Sequence, residues 1–175
     1  GTAFENTRVL PRAFAPARVR RVAPPPAAPW PVADAAAAFG PEFSAVTARQ
    51  DWGATASILA PGPPESVNPT VEIAGYTEST NAARFDARVA GGDNALVVLS
   101  LAQDGGWSAR DEEDRRLPTF LANGPFFAVE VPPGAHRVRL SYEPPGWRLG
   151  WSLSVATTAA LAARALARRA RSRRA

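Results

Sequence analysis

The chain has 175 residues, 46% of them apolar, with 18 Pro, 13 Gly, no Cys and a formal net charge of +4. That length supports one domain with a real core, while the density of Pro and Gly excludes a bundle of long soluble helices and the missing Cys excludes disulfides, thiolate nucleophiles and Cys-metal centres. All 20 basic residues are Arg, and six of them fall in the last 12 residues, leaving 14 Arg against 16 acids, a net −2, in residues 1–163, which excludes a basic nucleic-acid-binding body and leaves only the tail to touch phosphates.

In chain order, the opening stretch GTAFENTRVLPRAF has no apolar run of the kind a secretory signal needs, and Gly1 in place of Met points to a processed chain or a fragment of a longer one. Weak alternation over residues 4–22 predicts two short strands, around Ala13 and Val19. APPPAAPWP (23–31) is an extended Pro-rich connector. Asp34 is placed to cap a short helix through AAAAFG, with Gly40 as its stop. Residues 44–48 are predicted as another short strand, and APGPPESVNP (60–69) as a loop.

From Thr70 the pattern becomes regular. TVEIAGYT alternates Val71 and Ile73 and then, after a glycine, Tyr76. AARFDARVA places Ala83, Phe85, Ala87 and Val89 on one face and Arg84, Asp86 and Arg88 on the other, the period of a strand with one wet face. GGDN makes a turn, and ALVVLSLA is a continuous apolar run of strand length, as expected for a strand buried on both faces. WSA and LPTFL flank a charged run. FFAVEV and HRVRLSY are two further strands joined through PPGA. Strands this short with such connections predict a mainly β fold, an antiparallel β-sandwich over residues 1–148.

Residues 149–163 carry no charge and rise about 22 Å as a helix, against the ~30 Å of a hydrocarbon core. Arg148 and Arg164 extend that reach by snorkelling, Trp147 and Trp151 sit where an aromatic belt belongs, and the Arg cluster follows the positive-inside pattern. The sequence therefore predicts a single transmembrane helix over 149–167 and a cytoplasmic Arg-rich tail over 168–175. The rival reading is an Ala-rich helix lying on the protein or on a membrane surface.

Four consecutive acids, Asp111 to Asp114, are the most conspicuous candidate for chemistry. Neighbours on a strand alternate, and calcium loops space their ligands around a Gly, which this run lacks; Arg110, Arg115 and Arg116 also flank it. A solvated hairpin tip is expected. His136, the only histidine, lacks the partners of a zinc site and is assigned a structural role at a turn; an enzyme reading would need it to meet a carboxylate in a cleft. GGD (91–93) and DGG (104–106) are turn signals, and Asn68 in NPT is no glycosylation site because Pro follows it. No catalytic, cofactor-binding or metal-ligating residue is assigned. Surface aromatics offer the remaining candidate, a sugar-stacking platform of Trp107, Phe127 and Trp147, although most such rings are expected in a core.

FENTRVLPRAF resembles the YEN-x-x-A-L-P-R-A stretch of YfhO-type bacterial membrane proteins, and FGPEFSAVT is similar to their F-D-P-x-x-x-A-V segment. Residues 96–144 resemble their C-terminal block: an apolar strand, P-G-W, V-D-G, then N-x-x-F/L-x-A-V-x-V-P-x-G-x-H-x-V-x-F-x-Y-x-P and a final membrane helix. Here Gly105 replaces the Pro of P-G-W, and RDEEDRR replaces the V-D-G hairpin. The resemblance implies the C-terminal extracytoplasmic part of a multi-spanning protein related to the GT-C glycosyltransferases, which use lipid-linked sugar donors. That family's catalytic acids lie between early membrane helices absent from this chain, so no catalytic residue carries over. The expectation is a non-catalytic domain at the bacterial cell membrane, with the β domain outside and the C-terminus inside. It would serve the rest of the protein, its missing membrane body, in moving sugars to cell-envelope polymers. Its implied partners are the membrane, that body and a cell-envelope glycan or lipid-linked sugar, with no nucleic acid and no cofactor. The alternatives are a carbohydrate-binding module and a purely structural cap.

Overall fold

The computed structural model describes residues 10–23, 39–40, 42–47, 51 and 53–172. Residues 24–31 of the expected Pro-rich connector, the Asp34 cap, residues 4–9 of the first family-like stretch and the last three residues of the tail lie outside these. Twelve strands and two helices appear in the described residues. They fall in two compact units, Gly1–Glu143 and Pro144–Ala175.

The first unit is mainly β. One sheet has seven strands in the order β1 (Ala13–Phe14), β7 (Ala95–Ala102), β11 (Phe126–Val131), β10 (Thr119–Ala122), β3 (Thr55–Leu59), β2 (Arg18–Val22) and β4 (Glu65–Val67). The other has five, in the order β5 (Val71–Ser79), β6 (Ala82–Val89), β12 (Gly134–Tyr142), β8 (Trp107–Arg110) and β9 (Arg116–Leu117). Every pairing is antiparallel except β2 with β3. The expected antiparallel architecture is therefore present, with one parallel pair inside it.

The main core lies between the sheets. Val97, Leu99, Phe127 and Val129 from the seven-stranded sheet meet Phe85, Val89, Val138 and Leu140 from the five-stranded one. The alternation read in β6 is exact in burial: Ala83, Phe85, Ala87 and Val89 are buried and the intervening residues exposed. The continuous apolar run of β7 is buried on both faces, because Leu96 and Val98 enter a second cluster with Phe14, Val19, Ile58 and Ala128. On β5 the register shifts between Ala74 and Thr77, and Gly75 there adopts φ +63. That conformation is open to Gly at low cost, and the resulting bulge turns Tyr76 onto the core beside Ile73.

Two local expectations are corrected, and one strand goes unread in the sequence. Of the strand expected over 44–48, residues 44–47 are helical: Glu42–Thr47 is a short helix, α1, following the Phe43 N–H to Gly40 carbonyl bond, and Phe43 packs on a small cluster of Phe39, Leu59 and Leu121. The 60–69 loop contains β4, recruited by antiparallel pairing with β2. TASIL, which has no alternation to betray it, is strand β3, buried at all five residues and paired with both β2 and β10.

The second unit is helical: α2 spans Trp147–Ser172. The predicted helix is there and longer than expected, but the transmembrane assignment to 149–167 is not supported, since among the described residues no helix is long and apolar enough to cross a membrane. The reason lies in composition. Ser152, Ser154, Thr157 and Thr158 interrupt the apolar side chains, Ala supplies much of the rest, and Arg148 and Arg164 leave only 15 uncharged residues between them. Each of the four hydroxyls donates to the carbonyl four residues back, at 2.8–2.9 Å. Leu149, Trp151, Leu153, Val155 and Leu161 are exposed and distributed around the helix rather than along one stripe.

Candidate functional site

The charged run does form the β8–β9 connection, but Asp111 is not solvated: it is 1% exposed. Its Oδ1 accepts the backbone N–H groups of Glu113 (3.0 Å) and Arg115 (2.9 Å), and its Oδ2 accepts Arg115 Nε (2.6 Å). Arg139 donates to its backbone carbonyl. Asp114 then takes φ +67, a conformation Asp tolerates better than most residues. The four carboxylates diverge. Asp111 staples the turn, Glu112 reaches His136, Glu113 pairs with Arg115 at 2.9 Å, and Asp114 lies 3.4 Å from both Arg110 and Arg139. The acids are thus divided among four structural jobs instead of sharing one ligand.

Burial pushes the Asp111 carboxyl up, but the Arg115 side-chain bond, the backbone N–H bonds and the Arg115 charge outweigh it, and the net shift is downward. Glu112 is also held low, by its own backbone N–H and that of Arg137, with a smaller contribution from His136. A carboxylate with a depressed folded-state pKa contributes stability above its unfolded value, about 3.9 for Asp, and loses it as pH falls through the folded value. Melting temperature measured between pH 6 and pH 3 should therefore drop below about pH 4, and Asp111→Asn should flatten that drop while lowering stability at pH 6. An unchanged acid slope in Asp111→Asn would show that the hairpin staple carries none of it.

His136 meets a carboxylate, as an enzyme reading would require. Its Nδ1 is 3.1 Å from Glu112 Oε1, beside an open cavity of about 440 Å³ lined also by Glu72, Asp86, Arg88 and Arg137. Its Nε2, however, faces the Pro133 carbonyl at 3.0 Å. Both partners are acceptors, so both bonds exist together only when the ring carries two protons. Each nitrogen faces a protein oxygen, and the lining residues bring no hydroxyl or thiol. Glu112 Oε2 also accepts the Arg137 backbone N–H at 3.0 Å. The geometry ties the acidic hairpin to the start of β12, which is a turn-holding role.

Of the three candidate stacking residues, Trp107 and Phe127 lie in the first unit and Trp147 in the second. Phe127 is fully buried in the core between the sheets. Trp107 is half-buried against it, with centroids 6.4 Å apart and planes at 46°, and tilts at 50° to Tyr142, 5.2 Å away. Trp147 is 60% exposed, at the start of α2. Gly106 sets this corner. A Cβ there would stand 2.7 Å from the Glu143 carbonyl oxygen and 2.5 Å from the Tyr142 ring, so only Gly fits beside Trp107. Tyr142 donates to Asp104 at 2.5 Å, and that bond, with some burial, raises its phenol pKa.

The exposed face of the five-stranded sheet carries the remaining polar residues in register. Glu72 lies opposite Arg88, and Asp86 opposite Arg137, with Arg137 Nε 3.1 Å from Asp86 Oδ1. The next row breaks the pattern: Arg84 faces Arg139, Arg139 faces Arg110, and Arg110 faces Arg116.

Residues missed by sequence reasoning are structural. Asn68, dismissed as a glycosylation site, is buried, donates from Nδ2 to the Pro16 and Leu96 carbonyls and accepts the Leu96 N–H. Nothing local in the sequence marks it, because its partners are 52 and 28 residues away.

Comparison with curated proteins and with solved structures found no match. A family model described as bacterial membrane protein YfhO matches residues 72–154, from the beginning of β5 into the first turns of α2. That span holds the five-stranded sheet apart from Val71, the rebuilt acidic hairpin and the Gly106–Trp107 corner. Residues 72–154 are accordingly a YfhO-type region, of the kind found in bacterial membrane proteins.

Proposed function

We propose that the β-sandwich is a non-catalytic, extracytoplasmic domain of a YfhO-type membrane protein, and that it supports the transfer of sugars from lipid-linked donors to cell-envelope polymers. The observation that carries the reading is the family match across residues 72–154, joined to a candidate site whose acids and histidine are all engaged in holding turns. On this reading the domain positions other groups and makes no bonds itself. Helix α2 associates with the membrane body of the same protein. Gly150, Ser154 and Thr158 recur every four residues and give a small-residue stripe of the sort that lets helices approach closely. A neutral-sugar platform is not carried forward, because Phe127 presents no face.

The test is genetic and chemical together. In the producing bacterium, removal of the codons for residues 72–143 should lower the sugar content of envelope polymers to that of a strain lacking the whole gene, with the remaining protein still detected in membranes. Unchanged sugar content with the shortened protein present would overturn the proposal.

A further inference from the structure

The arginine row is the feature of the sandwich that internal structure does not account for. Like charges directly opposite on neighbouring strands are destabilising, and the same face elsewhere sets acids against arginines. Yet Arg84, Arg139, Arg110 and Arg116 stand side by side on β6, β12, β8 and β9, all exposed. At about 4.8 Å between strands the four span roughly 14 Å. Their own partners compensate only part of the charge. Arg110 and Arg139 approach the carboxylate of Asp114 at 3.4 Å, in an exposed arrangement that screening makes weak. Arg84 donates only to the Thr77 hydroxyl, at 3.0 Å, and among the described residues Arg116 has no ion pair. The chain's lack of Lys explains why these cations are Arg; it does not explain why four are aligned.

We infer that this row is a binding surface for a linear anionic polysaccharide, one whose carboxylates recur at about the strand spacing. Three features favour that occupant. The row is one residue wide, and in the rows beyond it Glu72 and Asp86 offset Arg88 and Arg137, so an anionic membrane lying flat on the sheet would meet no further net positive charge there. Guanidinium forks match carboxylate geometry. Hydroxyls border the row: Ser108 and Ser141 lie 3.0 Å apart on β8 and β12, and Thr77 sits at its end, offering partners to sugar hydroxyls that a polyphosphate lacks. Arg84 and Arg139 also line an open cavity of about 510 Å³ with Thr77 and Ser79, room for part of a sugar ring beside the charges. The inference holds whether or not the parent protein transfers sugars, because it concerns binding alone.

The experiment uses the full chain in a non-ionic detergent, with polygalacturonate, neutral dextran, polyphosphate and anionic lipid vesicles as separate probes at fixed ionic strength. Polygalacturonate should bind, and dextran should not. Arg84→Gln and Arg116→Gln should each weaken polygalacturonate binding about tenfold, the scale of one lost charge-assisted hydrogen bond. Neither arginine bonds to the acidic hairpin, so unfolding midpoints should stay put. Arg88→Gln removes the same charge from the same face but off the row, and should change binding little. The tail arginines are common to every variant, so the differences report the row. Equal losses in Arg88→Gln, or binding of polyphosphate or vesicles as tight as that of polygalacturonate, would overturn the assignment, as would no binding of polygalacturonate at all.

Discussion

Phe127→Ala will cost about 3–5 kcal/mol of folding stability, the range for removing a fully buried aromatic ring. Phe127 has no exposed surface, stands between the sheets among Val97, Leu99, Val138 and Leu140, and supports the tilted face of Trp107. Its neighbours belong to paired strands on both sheets, so the cavity left behind cannot collapse cheaply. Urea unfolding gives the number directly. The same measurement separates packing from recognition: a sugar-stacking role would leave the midpoint unmoved and lower affinity for a neutral glycan, whereas packing moves the midpoint and leaves Trp107 without support.

Asn68→Ala should be nearly as damaging, at about 3 kcal/mol or more, because it strands three buried backbone groups at 1–3 kcal/mol each. Those groups are the Pro16 carbonyl and both polar atoms of Leu96, on segments that enter β2 and begin β7. The Asn68 backbone N–H also donates to Ala17, which keeps the side chain at this crossing. Asn68→Asp offers a sharper check. The carboxylate would face the two carbonyls that now accept from Nδ2, and burial would raise its folded-state pKa. A raised folded pKa gives stability that is present below the unfolded value, about 3.9, and lost as pH rises through the folded value. Asn68→Asp should therefore come closest to wild type at acid pH and fall behind it toward neutrality, the reverse of the trend carried by Asp111. Parallel pH profiles for Asn68→Asp and wild type would contradict the buried bonding pattern.

How legible the fold is in the sequence follows from how each strand is buried. Strand β6 shows one face to solvent, so its charges alternate visibly, and β12 repeats this with Val138 and Leu140 against Arg137 and Arg139. Strand β7 is readable for the opposite reason, as an apolar run buried on both sides. Strand β3 is buried on both sides as well, but with Thr, Ala and Ser in three of five positions, and small polar side chains in a dry environment carry no periodic signal. Strand β4 and helix α1 are set by what they pack on: β4 by the open edge of β2, and α1 by the Phe39 cluster.

The site was legible in a different way. Composition and spacing indicate that four adjacent acids are a turn. They cannot indicate that Asp111 turns inward to hold it, since that depends on the backbone folding Glu113 and Arg115 back around one carboxylate. The Glu112–His136 contact joins residues 24 apart, and the arginine row joins four strands, so both exist only once register is fixed. The helix shows the limit of hydropathy: α2 forms as expected, but its hydroxyls and alanines keep it below what a membrane span needs.

On the proposed function the sandwich stands outside the cell as part of a membrane protein. The chain has no Cys of its own, so an introduced thiol is read as labelling gained over the unsubstituted protein. Thr80→Cys, at the exposed β5–β6 turn, should react with a membrane-impermeant maleimide in intact producing cells as fully as in lysed ones. Labelling that appears only after lysis would place the domain inside and contradict the account.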